Sequence, residues 1–202
     1  LIRGKATALR LLGRLGEATA LLEPLVNGGS RTSGMELVFA RIGLAKVQLD
    51  ADRPALAWQT IAPAVDSMQA DALVTAARSA ALLGRPEVAD EQLAKAVQRY
   101  PNVDYVLAAA MRRAWEQRDD ARAAQLAAKG RAARGPNQTW YVDDFLAVFA
   151  NADEQRILSA GKALVEQGAS VWEIANLSYG LALRDRPAQA VALNKLSPAQ
   201  GG

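Results

Sequence analysis

The stretch Gly84–Pro101, GRPEVADEQLAKAVQRYP, decides the fold. Gly84-Arg85-Pro86 at its head and Pro101-Asn102 at its tail are helix punctuation. Between them Ala89, Leu93 and Ala96 fall at i, i+4 and i+7, one face of a single helix. A small residue at Ala89 lets a neighbouring helix approach closely, so a leucine there would overpack the contact at a cost of about 1–3 kcal/mol.

The same cadence runs outward in both directions. Breaks containing Gly, Pro, Asp or Asn recur at Asn27-Gly28-Gly29, Ala51-Asp52-Arg53-Pro54, Gly135-Pro136-Asn137, Gly168 and Asp185-Arg186-Pro187. A small or short residue recurs at Ala18, Ala57, Ala89, Ala123, Ile157 and Ala190, with separations of 39, 32, 34, 34 and 33. Four residues after each stand Leu22, Ile61, Leu93, Ala127, Gly161 and Asn194. Seven after each stand Leu25, Ala64, Ala96, Gly130, Leu164 and Ser197. The long first spacing places its extra residues in the Gly28–Gly34 loop, and the fifth place carries Ile157 where the others carry alanine. No alternating strand pattern appears. The reading is all-α: helix-turn-helix pairs, about six units of roughly 34 residues, spanning 1–196, with a flexible tail at 197–202 whose composition is that of a turn.

Two details mark helix starts. Ser33 with Glu36, and Ser170 with Glu173, have the S-x-x-E spacing in which side chains satisfy the first backbone donors. Pro24 and Pro63 occupy the same place in successive second helices, which should be kinked or shortened there.

The cadence of Gly84–Pro101, repeated in LGRLGEATALLEPL (Leu12 to Leu25) and EQRDDARAAQLAAKG (Glu116 to Gly130), resembles the tetratricopeptide repeat family. That family's second helix carries a small residue, a large apolar one at plus four, a small one at plus seven and often a proline. The first helices here lack the family's usual tryptophan, leucine-glycine and tyrosine signature. The resemblance implies a right-handed superhelical solenoid whose first helices line a concave groove. Carried over by register, the groove places are Arg3, Thr7 and Arg10, then Phe39, Ile42 and Lys46, then Asp71, Val74 and Arg78, then Tyr105, Ala108 and Arg112. Lys46, Arg78 and Arg112 correspond on successive pairs and form a cationic ladder suited to carboxylates, with Tyr105 or Trp115 beside it to pack an apolar side chain. In the last two units Trp140, Tyr141, Phe145, Phe149, Trp172 and Tyr179 replace the cations, and at helical spacing these read first as core.

Composition narrows the function. Half the residues are apolar and 22% are charged, the balance of a folded chain with a core to bury. No apolar run reaches the length of a bilayer span. Cysteine and histidine are both absent, which removes disulfides, thiolate chemistry and the commonest general base and metal ligand. Asp119-Asp120 and Asp143-Asp144 are the nearest thing to a carboxylate site, and the first pair reads as a helix start. No cofactor or metal is expected, and no catalytic set can be assembled. The net charge of +3 is smaller and more dispersed than that of a dedicated nucleic-acid binder, so a nucleic-acid-binding helical repeat ranks as the lesser alternative. Asn137-Gln138-Thr139 and Asn176-Leu177-Ser178 match the glycosylation acceptor pattern, a motif short enough to arise often by chance. A non-catalytic scaffold binding a protein or peptide with acidic groups is the favoured function. The alanine- and arginine-rich composition points to a bacterial source, and family analogy offers the periplasmic scaffolds of exopolysaccharide secretion as an alternative. The compartment, cytoplasm or periplasm, stays open, and a chain opening on Leu1 reads as a processed form or a piece of something longer.

Overall fold

Apolar residues at helical spacing, interrupted by short polar turns, fold into helices throughout. The computed structural model describes residues 2–28, 33–134, 152–166, 168–169 and 171–197. In chain order the helices are α1 (Ile2–Leu11), α2 (Leu15–Asn27), α3 (Gly34–Asp50), α4 (Pro54–Ile61), a 3-10 segment (Ala62–Ser67), α5 (Ala70–Leu82), α6 (Pro86–Arg99), α7 (Asp104–Glu116), α8 (Asp120–Arg134), α9 (Glu154–Glu166), α10 (Val171–Ala182) and α11 (Pro187–Asn194). No strand occurs among the described residues, and none of their helices is long and apolar enough to cross a membrane. Helices pack in neighbouring pairs: α1 with α2, α3 with α4, α5 with α6, α7 with α8, α10 with α11. They gather into two compact units, Leu1–Pro101 and Asn102–Gly202.

One backbone turn recurs at the same place within five of the described helix pairs. Gly13, Asp52, Gly84, Arg118 and Asp185 all take left-handed φ, between 55° and 73°. Each lies five residues before Ala18, Ala57, Ala89, Ala123 or Ala190. The N–H of each left-handed residue donates to the carbonyl three residues back, and the next N–H reaches the carbonyl five back: Arg14 to Leu9, Arg53 to Gln48, Arg85 to Ala80, Asp119 to Ala114 and Arg186 to Leu181, at 2.8–3.1 Å. This double closure ends the first helix and satisfies its orphan carbonyls. A left-handed backbone costs a non-glycine residue roughly 1 kcal/mol, yet Asp52, Arg118 and Asp185 adopt it, so the closure outweighs the local preference.

The recurring places are core. Ala18, Ala57, Ala89 and Ile157 are fully buried, and Ala123 and Ala190 nearly so. In the fifth pair the roles of small and large are exchanged: Ile157 fills the place taken elsewhere by alanine, and Gly161, four residues on, makes room for Leu193 of α11. The side chains of Ala127 and Gly130 lie outside the described residues. In the first unit α3 is packed from two sides. Leu44 and Val47 join Ala6, Leu9, Ala18 and Leu22, while Ile42, Ala45 and Leu49 join Ala57, Ile61, Ala72 and Ala76.

Among the expected helix ends, the capping bond at Ser33 is corrected. Ser33 takes the extended backbone of an N-cap and α3 begins at Gly34, but its side chain makes no capping bond. Ser170 lies outside the described residues. The side chains that do cap are Asp119, accepting from the Arg122 N–H at 3.0 Å, and Asp153, accepting from the Arg156 N–H at 2.8 Å. Pro63 shortens its helix: α4 stops at Ile61 and a 3-10 turn follows. At its end Met68, left-handed at φ 56°, accepts the Tyr100 hydroxyl on its carbonyl at 2.8 Å. Pro24, at the equivalent place, lies inside α2, which runs on to Asn27.

Candidate functional site

Successive first helices pack side by side in the first unit, α1 against α3 and α3 against α5. Between them opens a cleft of about 200 Å³. Its floor is apolar, with Ala6, Leu22, Ile42 and Val47 all buried. Its rim carries Arg3, Thr7, Arg10, Phe39, Lys46 and Asp71. Every groove place assigned by register to α1 and α3, together with Asp71 of α5, lines this cleft; Val74 and Arg78 do not. A volume of that size falls below the ~300–1,000 Å³ of small-molecule pockets. It suits one side chain of a longer ligand.

The rim is charged but internally paired. Arg10 Nη1 donates to Asp50 Oδ2 at 2.6 Å, and Arg78 Nη1 lies 3.8 Å from Asp50 Oδ1. Lys46 Nζ donates to Asp71 Oδ1 at 2.8 Å. The Arg3 guanidinium sits 4.8 Å from the centre of the Phe39 ring. The cleft's own lining carries three cations, Arg3, Arg10 and Lys46, against one carboxylate, Asp71, with Asp50 paired to Arg10 just outside it, leaving a positive excess. The Lys46 and Asp71 side chains keep 34% and 44% of their surface open. Pairs this wet are worth about 0–1 kcal/mol, so a ligand carboxylate can exchange for the internal one.

The second unit uses its ladder residue differently. Arg112 Nη2 of α7 donates to Asn176 Oδ1 of α10 at 2.7 Å, and its guanidinium stands 5.3 Å from the centre of the Tyr179 ring. The Tyr179 hydroxyl donates to Glu116 Oε1 at 2.9 Å. Burial, reinforced by that hydrogen bond to a carboxylate, pushes the phenol up to about 12. Arg118 pairs with Asp185 at 2.7 Å, joining two of the left-handed turn residues. In this unit α7 therefore touches α10 directly.

The five residues assigned to partner binding therefore stand in distinct settings. Lys46 and Arg78 belong to the first unit and are tied to Asp71 and Asp50. Tyr105 is exposed on α7, and Arg112 braces α7 to α10. Trp115 is core, 5% exposed, with the Arg184 guanidinium 5.7 Å from its ring centre. So deeply buried, the indole has almost no surface left for a ligand. Sequence reasoning missed Asp50, Glu116 and Asn176, whose roles depend on which helices stack. Asn176 is buried and bonded to Arg112, which removes the accessibility a glycosylation acceptor needs. Asp119 serves as a cap, while Asn137, Asp143 and Asp144, with Trp140, Tyr141, Phe145 and Phe149, lie outside the described residues, as does the side chain of Trp172.

No protein-family model matches the chain, and no curated protein matches it as a relative.

Proposed function

We propose that the chain is a non-catalytic interaction scaffold, a solenoid of tetratricopeptide-like helix pairs, which holds an acidic peptide or protein segment in the groove lined by its first helices. The observation that carries this reading is the cleft among α1, α3 and the first turn of α5, with an apolar floor and a rim where three cations, Arg3, Arg10 and Lys46, stand beside one carboxylate, Asp71. Such a rim selects carboxylate-bearing ligands, and the floor accepts one apolar side chain beside them. The cations lie on rigid helices, so little ordering cost is added on binding.

The test is fluorescence anisotropy with labelled peptide pairs differing only in Asp and Glu against Asn and Gln. Wild type should prefer the acidic member, with salt weakening the preference. Arg10→Glu with Lys46→Glu should abolish it. An Arg78→Glu, Arg112→Glu chain of unchanged helical content serves as the comparison. Equal binding of both peptides, or full binding by the charge-reversed cleft, would overturn the proposal.

A further inference from the structure

Within the cleft the seats follow a fixed order along α3. Phe39, Gly43 and Lys46 fall at i, i+4 and i+7, one face of that helix, and all three line the cleft. Its depth comes from a missing side chain. Gly43 leaves room for Leu22 to rise to the floor from α2: a Cβ built on Gly43 would lie 3.3 Å from Leu22 Cδ1. Ala6 on the α1 wall adds only a methyl group to the same floor. Lys46, next along α3, holds the Asp71 carboxylate at 2.8 Å, which marks where an acid can sit. Both walls are present among the described residues, α1 on one side and α3 with the first turn of α5 on the other.

The distance between seat and ammonium selects a spacing in the ligand. Gly43 and Lys46 are three residues apart, about 4.5 Å along the axis at ~1.5 Å per residue, and the lysine stem carries its ammonium onward to Asp71 of α5. An extended segment returns a side chain to the same face every second residue, at about 6–7 Å. Adjacent residues face opposite ways, and residues four apart, at about 13 Å, overrun a cleft of about 200 Å³. A docked helix would need a trough for apolar residues at i, i+3, i+4 and i+7, and this floor has room for one. Given the groove reading above, on which this rests, we infer that the cleft selects an extended segment in which a leucine-sized aliphatic residue stands two positions from an aspartate or glutamate. The aliphatic side chain enters over Gly43 onto Leu22, and the carboxylate takes the place of Asp71 on Lys46.

The probes are fluorescein-labelled, C-terminally amidated peptides on a serine and glycine background. Each carries one leucine and one glutamate set one, two, three or four positions apart, in both orders, and is titrated by anisotropy against the whole chain. A separation of two should bind tightest, by about threefold to fivefold, the worth of one exposed ion pair. Exchanging its glutamate for glutamine should remove that margin on wild type and change nothing on Lys46→Gln. Thr7 is an exposed residue of the rim, so Thr7→Phe should plug the cleft without disturbing the core, and peptides with leucine or alanine should then bind alike. A preference for glutamate that is equal at every separation would overturn the spacing and leave the groove reading standing. No preference for glutamate at any separation would overturn both. A Thr7→Phe chain that still distinguishes leucine from alanine would overturn the seat over Gly43.

Discussion

Lys46 of α3 and Asp71 of α5 are joined at 2.8 Å, so the first rung of the cationic ladder is already occupied by a carboxylate from the next helix pair. A ligand carboxylate must displace Asp71 or share the ammonium with it. Asp71→Asn removes the competitor and keeps the shape. Affinity for the acidic peptide should rise by about 0.5–1 kcal/mol, the worth of a well-placed exposed pair. Titration calorimetry of the two chains checks this, and unchanged affinity would place the acidic ligand away from Lys46.

Ala89 is fully buried where α6 meets its neighbours. Ala89→Leu should cost about 1–3 kcal/mol through overpacking, seen as a lowered urea midpoint, while Ala94→Leu on the exposed face of the same helix should stay near wild type.

Gly161 holds the complementary position in the second unit, where any Cβ would run into the Leu193 side chain. Gly161→Ala should therefore destabilise by roughly 1–3 kcal/mol despite alanine's better helix propensity. Pairing it with Leu193→Ala should recover part of the loss, and a double-mutant cycle showing strict additivity would deny the contact.

Tyr179 holds its proton to about pH 12 when folded, against 10 for a free tyrosine. Between those values the unfolded chain has lost the proton and the folded chain has kept it. The sign follows: this contribution to stability is complete below pH 10 and disappears as pH rises toward 12. Alkaline titration followed by phenolate absorbance should show Tyr179 ionising late. Tyr179→Phe should delete that late step and flatten the loss of stability across the same interval.

The core register was legible because it rests on short-range facts. A small residue, four positions and seven positions later, defines a helix face wherever the helix lies, and Ala18, Ala57, Ala89, Ala123, Ile157 and Ala190 all proved buried. The cleft was legible for a related reason: Arg3, Phe39 and Lys46 sit on first helices whose stacking order in the first unit is the order of the chain. Charge partners were not. Arg112 meets Asn176 across 64 positions, and nothing local says that α7 lies against α10. Periodicity also fails to separate Trp115 from its exposed neighbour Glu116, because one residue of helix turns a side chain by about 100°.

The recurring left-handed turn has a bearing on how far such a chain can change. Two main-chain bonds close it, and glycine, aspartate and arginine all occupy its tightest residue. A hinge closed by amides rather than side chains does not depend on the side chain it carries, so exchanging glycine, aspartate and arginine among these places should leave the angle between paired helices intact. The corners are where new surface chemistry could be installed without redrawing the scaffold.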